Sequence, residues 1–254
     1  MDLGVRRLDT AYNYLRFASH RALAEVAGDL LGEFEISTKV GFFPDGHSLD
    51  PLRLRKAIEQ SATELGRPPN LVFLHNPERS LNGLPKPHGR DALAAAVTTL
   101  TDTVRTGLSN AWGISSWNAE VLMPYLAEVP APDVLMTRCG LTCAPAALDA
   151  AGHLAELLNV PAAGRWGMAP FGGTPAAVPW PAPGAFVRGQ VATTPLQAAF
   201  AVAYHLPDLA AIAVGADQRD HLAELIAATR LDIDPARVAA YRALLTQRKA
   251  TVTS

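Results

Sequence analysis

Seven short apolar runs, each followed by an amphipathic stretch, recur along nearly the whole chain, and this alternation limits the fold more than any other feature. The runs are Val5–Thr10, Phe34–Val40, Leu71–His75, Ala111–Ser115, Val134–Arg138, Ala163–Ala169 and Ala211–Gly215. Runs of this length, separated by longer helical patterns, read as strands buried on both faces. Ser19–Leu31 sets Leu23, Val26, Ala27, Leu30 and Leu31 on one face. Ser48–Leu65 opens on Ser-Leu-Asp-Pro, an N-cap signal followed by proline, and carries Leu54, Ile58, Ala62 and Leu65 at helical spacing. Asp91–Thr106, Ala119–Leu126, Pro145–Leu158, Pro195–His205 and Gln218–Ala228 follow, and a last helix, Pro235–Lys249, has no strand after it. Such alternation predicts a parallel sheet with helices outside, an α/β fold. Nothing resembling a linker interrupts it, so residues 1–254 are expected to form one domain. The irregular segment is Phe171–Gln190, crowded with proline and glycine. Its length and composition predict a lid or binding loop over the mouth, with a floppy connector as the plain alternative.

Composition removes several function classes. Of 254 residues, 49% are apolar, enough for a sizeable core, and the net charge of −2 lacks the basic footprint of a nucleic-acid binder. No stretch approaches 18 uninterrupted apolar residues, so no membrane span is expected, and Met1–Asp9 lacks the apolar centre of a signal peptide. The two cysteines, Cys139 and Cys143, make neither a disulfide framework nor a convincing zinc site, and read as thiols of a reducing cytoplasm. His20, His47, His88, His153 and His205 are scattered without ligand spacing, so no metal is assigned.

Four polar residues stand at the ends of these runs. Asp9 ends the first, Lys39 the second and His75 the third, while Tyr14 follows in the loop after the first. Read alone, Asp9 is a turn cap, Lys39 a buried cation seeking a partner, and His75 a structural histidine before the turn signal Asn76-Pro77. Ionisable groups at the ends of successive strands are costly to place unless they face one shared site. Together the four predict a catalytic mouth. Trp112 and Trp117 flank Gly113-Ile114-Ser115-Ser116, and Phe42 and Phe43 follow Lys39; each pair reads as wall packing or as a lining of that mouth.

On these motifs the chain resembles the aldo-keto reductase superfamily. The pattern Asp-Thr-Ala-x-x-Tyr is met by Asp9–Tyr14, Ser-Thr-Lys-Val by Ser37–Val40, and the apolar-His-x-Pro-Asp step by Leu74–Glu78, with Glu78 for aspartate. The glycine-x-serine step appears as Gly113-Ile114-Ser115, and a terminal cofactor segment as Val214–Asp217 through His221–Glu224. The resemblance implies a (β/α)8 barrel of the TIM type and NADPH-dependent reduction of a carbonyl, with NADH as a second possibility. It implies that Tyr14 is the general acid, that Lys39 eases its proton transfer, that Asp9 holds Lys39, and that His75 orients the substrate oxygen. It places cofactor contacts at Ser115, Ser116, Met136, Phe171, Gly172, Gly215, Asp217, Arg219, His221 and Glu224.

The chain also departs from the family pattern. Ser116 stands where asparagine is usual, Met136 where glutamine is usual, Cys139 where an aromatic ring is usual, and Leu225 where asparagine follows the glutamate. These changes remove amide partners and a stacking face from the cofactor, while Arg219 can still pair with a phosphate. No G-x-G-x-x-G fingerprint is present, so a Rossmann reading fails. Only eight residues precede Asp9, so seven strand–helix units are visible and the first of the barrel is missing. A misassigned start, a covering segment or a second copy over the open edge, and an incomplete barrel all stand as explanations. The expectation is an oxidoreductase on a small or sugar-like carbonyl. A non-redox isomerase, dehydratase or lyase on the same scaffold, and a binding or regulatory subunit, are the competing classes.

Overall fold

The computed structural model describes residues 3–127, 129–173, 183–189 and 192–252. Contacts divide the chain into two compact units, Met1–Met136 with Leu154–Val160, and Thr137–His153 with Pro161–Ser254.

In the first unit, β1 (Arg7–Asp9) is followed by α1 (Ser19–Ala27), and β2 (Glu35–Val40) by a hairpin of β3 (Phe42–Phe43) and β4 (Gly46–His47), then α2 (Pro51–Leu65). Next come β5 (Leu71–His75), α3 (Glu78–Leu81) and α4 (Lys86–Arg105), then β6 (Trp112–Ser116), α5 (Ala119–Leu122) and the start of β7 (Val134–Arg138). Strands β1, β2, β5 and β6 pair in that order, all parallel. The register sets Asp9 beside Ser37, Lys39 beside Phe73, and His75 beside Ser115. Apolar Ile36, Val72, Phe73, Leu74 and Ile114 are fully buried, which accounts for strands that read as continuous apolar runs.

Helix boundaries follow local chemistry. Asp50 caps α2 by accepting the Arg53 N–H at 2.9 Å, Pro51 fills its first turn, and Gly66 closes it at φ 68°. The expected 19–31 helix stops at Ala27, where Gly28 turns to φ 50°. Helix α4 starts at Lys86, earlier than its apolar periodicity indicates, because its first turn carries exposed Lys86, Pro87 and His88. The 119–126 helix shortens to Ala119–Leu122 and a tight turn through Pro124. The β3–β4 hairpin is unanticipated, although Pro44-Asp45-Gly46 has turn chemistry.

The second unit begins with the end of β7. It holds α6 (Pro145–Leu157) up to His153, then β8 (Arg165–Met168), α7 (Pro195–Ala203), β9 (Ala211–Ala213), α8 (Arg219–Ala228) and α9 (Pro235–Val252). Strands β8 and β9 pair in parallel from Trp166–Ala211 to Met168–Ala213. Thr194 and Gln197 form a reciprocal cap on α7. The apolar interior gathers Cys143, Leu148, Val187, Val202, Leu206 and Ile233. Of the Phe171–Gln190 loop, residues 174–182 and 190 lie outside the described residues. Its described C-terminal part is strapped by Arg188 N–H to the Asp232 carbonyl and Asp234 N–H to the Phe186 carbonyl, both at 2.8 Å.

Gly113 is the tightest point of the first unit's sheet. A Cβ there would lie 2.5 Å from the Val134 carbonyl oxygen and 2.7 Å from the Phe73 ring. Gly113→Ala is therefore expected to destabilise the protein by about 1–3 kcal/mol, as overpacked cores do, measured by urea denaturation.

Candidate active site

The four polar residues of the strand ends all lie in the first unit, and two of them, Asp9 and Lys39, are bound to each other. Lys39 is 2% exposed, and its Nζ donates to Asp9 Oδ2 at 2.5 Å and to the Thr10 carbonyl at 2.9 Å. The other Asp9 oxygen accepts from Ser37 Oγ at 2.7 Å. Two of the three ammonium protons are thus committed, and the nitrogen stands 5.2 Å from the centre of the Tyr14 ring. The Tyr14 ring meets the His75 ring edge-on at 6.3 Å. Tyr14 is 43% exposed, and its hydroxyl has no hydrogen-bond partner among the described residues.

The loop that carries Tyr14 is held in an unusual shape. Leu15, Arg16 and Phe17 all have left-handed backbones, at φ 49°, 53° and 68°. Such conformations cost about 1–2 kcal/mol per non-glycine residue. The loop is anchored by Tyr12 N–H to the Lys39 carbonyl at 2.9 Å, by Ser19 Oγ to the Ala11 carbonyl at 2.7 Å, and by the Tyr12 and Phe17 rings in edge contact at 5.4 Å.

His75 is buried, and its Nδ1 has no partner among the described residues. Burial first, then the Lys39 charge and the neighbouring His47 ring, pull its pKa down to about 3, so the imidazole is neutral at physiological pH. Asn76 follows at φ 51°, with its Oδ1 also buried and unpartnered among the described residues. Glu78 is buried and spans to the next strand's loop. Its Oε1 accepts the Trp117 and Asn118 N–H groups at 2.7 and 3.0 Å, and its Oε2 accepts Ser116 Oγ–H at 3.2 Å. Burial pushes the Glu78 carboxyl up from the ordinary range, and its own backbone N–H together with these three donors opposes the rise.

The expected cofactor residues fall in both units. In the first, Ser115, Ser116 and Met136 are fully buried, and the Ser116 hydroxyl is already donated to Glu78. In the second, Phe171 packs on Phe200 at 6.1 Å, and Gly172, at φ 69°, leaves only 3.0 Å between a would-be Cβ and Thr142 Oγ1, a buried atom without a partner among the described residues. Gly215, Asp217, Arg219 and His221 are exposed around the start of α8, with His221 Nδ1 3.6 Å from Asp217 Oδ1. Glu224 accepts from Thr194 Oγ1 at 2.5 Å. Cys139 is fully buried, and burial pushes its thiol far up.

Sequence reasoning passed over two residues of this site. His47, read as scattered, donates its Nε2–H to the His75 carbonyl at 2.8 Å. Glu78, read only as a substituted aspartate, ties the β5 and β6 ends together. The turn signal at 44–46 pointed to a hairpin beside Lys39 and could have placed His47; nothing local announces the reach of Glu78.

The family model of the aldo/keto reductases matches residues 1–138, more than half of the chain. The chain belongs to this family. Its members are oxidoreductases of carbonyl compounds, and that is the class of this protein. No significant match exists among curated proteins. Three solved structures share the fold. They are an aldo-keto reductase from Bacillus halodurans in its holo form (16% identical, TM-score 0.70, covering 96% of this chain and 83% of that one), one from Klebsiella pneumoniae in complex with NADPH (15%, 0.70, 96% and 81%), and an aldose reductase from Giardia lamblia (15%, 0.69, 96% and 85%). At such identities the likeness carries the fold alone, that of the (β/α)8 barrels, and seven strand–helix units of it are present among the described residues. Among the described residues no helix is long and apolar enough to cross a membrane, and no cluster of metal-ligating side chains occurs.

Two measurements test the electrostatics of this family member's site. Asp9→Ala leaves a buried ammonium without its counter-ion; a loss of about 3 kcal/mol is expected in urea denaturation at pH 7, at the low end for a broken buried pair because Asp9 is partly exposed. His75 has a folded pKa below its ordinary 6.5. The unfolded chain therefore binds a proton that the folded one refuses, and the stability is present above pH 6.5 and lost as pH falls toward 3. Between pH 7 and pH 5 this amounts to about 2 kcal/mol, which should vanish from the pH profile of His75→Gln.

Proposed function

We propose that the chain is an NADPH-dependent carbonyl reductase, turning a small aldehyde or ketone into an alcohol with Tyr14 as general acid. The observation that carries this reading is the gathering of a buried Lys39–Asp9 pair, the Tyr14 ring and a neutral His75 at adjoining strand ends.

The residues present suit a nicotinamide cofactor, though unevenly. In the first unit, the unpaired Tyr14 hydroxyl and His75 imidazole supply donors for a carbonyl oxygen. In the second, the Arg219 guanidinium and the His221 ring at the start of α8 are donors suited to a phosphate, where the helix end adds its own partial positive charge. Thr142 Oγ1, buried beside Gly172 without a partner among the described residues, is a further donor. The complex of the Klebsiella pneumoniae relative names NADPH, which agrees with this choice. When bound, the reduced nicotinamide supplies hydride.

The chain's own residues do the rest. His75, neutral, donates an N–H to the substrate oxygen and fixes its approach. Tyr14 gives up its proton to that oxygen as negative charge develops there. The ammonium of Lys39 lies near enough to the ring to stabilise the phenolate left behind, and Asp9 and the Thr10 carbonyl keep that ammonium charged and still. Proton transfer of this kind is worth roughly 10²–10⁴ in rate.

A second reading, a non-redox proton-transfer enzyme, is favoured by Ser116 being spent on Glu78 and by Met136 lacking an amide. It requires turnover in protein stripped of NADPH. The reductase reading instead expects Tyr14→Phe to lower the rate of NADPH oxidation by roughly 10²–10⁴ while NADPH still quenches protein fluorescence with unchanged affinity. Wild-type rate in Tyr14→Phe, or no quenching in the native protein, overturns it.

A further inference from the structure

Resting on the reductase reading, we propose that His47 is a positioning residue for that reaction, holding His75 and Phe42 in place through the β3–β4 hairpin. The backbone makes the need plain. The parallel ladder between β5 and β6 ends at His75, where Asn76 turns to φ 51°. The His75 carbonyl therefore leaves the sheet as a buried acceptor, and a buried carbonyl without a donor is destabilising by the full loss of its hydration. His47 Nε2–H supplies the donor at 2.8 Å. A carbonyl only accepts, so the proton sits on Nε2, and Nδ1 accepts from Ser80 Oγ at 2.7 Å. Both ring nitrogens are occupied and the tautomer is fixed.

The hairpin is built to deliver this ring. Ser48 N–H donates to the Gly41 carbonyl at 2.8 Å, closing its base. Gly41 sits at φ 145°, and a Cβ there would stand 3.0 Å from both His47 Nε2 and the His75 carbonyl oxygen. The close approach of three segments thus requires glycine. Phe42 lies edge-on to the His47 ring and edge-on to the His75 ring, each at 4.8 Å. One imidazole therefore clamps the backbone of His75 while the ring beside it braces the His75 side chain. His47 is held neutral, its pKa lowered chiefly by burial. The charged or titratable groups facing His75 are Lys39 from β2, His47 from β4 and Tyr14 from the first loop.

The test uses full-length protein with NADPH and 4-nitrobenzaldehyde as the probe substrate, and proton NMR titration of the His75 ring, assigned against His75→Gln. His47→Ala is expected to lower kcat by roughly 10- to 100-fold, the scale of a small misplacement of a reacting group. Its KM and NADPH affinity stay within about twofold, and the His75 titration moves up by a unit or more as the ring loosens. His47→Gln, whose amide N–H can still reach the carbonyl, is expected to recover most of both. Ser80→Ala, which removes the donor to Nδ1 and a longer contact to the His47 carbonyl at 3.4 Å, gives a smaller shift in the same direction and serves if His47→Ala does not fold. Unchanged kcat and His75 titration in these variants, or a glutamine variant no better than alanine, overturns the proposal. Tyr14→Phe runs in the same assay: if it keeps the wild-type rate, the reductase reading falls, and the His75 titration alone then decides on His47.

Discussion

A single ammonium group organises the first half of this molecule. Lys39 is almost wholly removed from water, and a bare charge in that position would be prohibitive. It is tolerated because β1 and β2 run parallel in a register that brings Asp9 against it, with Ser37 and the Thr10 carbonyl completing the shell. Shift that register by one residue and the carboxylate turns to the opposite face of the sheet. The pair therefore ties the strand order, the loop that begins at Thr10, and the phenol carried by that loop to one electrostatic requirement.

The remaining polar groups answer a question of hydrogen bonding. Parallel strands of unequal length leave unpaired backbone groups where they stop, and buried ones need partners. Glu78 serves the far side of β6, accepting two backbone N–H groups and one hydroxyl from Ser116 to Asn118. Its extra methylene over aspartate gives reach, and its raised pKa reflects burial that the three donors only partly offset. His47 serves the end of β5. These side chains shape the strand ends of the first unit, because they link loops that the sheet itself leaves separate.

The apolar runs announced the central strands because β2, β5, β6 and β7 are buried on both faces, and the four polar residues stood out because ionisable groups at strand ends demand a reason. Their motifs also disclosed the family. Strand and helix ends were less legible where exposed residues carry the turn, as at Lys86–His88. The hairpin was hidden because Phe42 and Phe43 are too short a run to show a period. His47 and Glu78 escaped notice for a different reason: each acts through a partner 28 or more residues away, and nothing in the neighbouring sequence marks a long-range contact. The backbone of Leu15–Phe17 was equally silent, since none of those residues favours a left-handed conformation.

That left-handed stretch says something about portability. Its local preferences oppose the shape it takes, so the shape is imposed by Ser19, by the Lys39 carbonyl and by the ring of Tyr12. A peptide cut from Asp9 to Phe17, or the same nine residues grafted onto an unrelated scaffold, would relax to right-handed or extended backbone and swing the phenol elsewhere. The tyrosine's address is written in the strands and helix around it, and the motif is inseparable from the sheet that bends it.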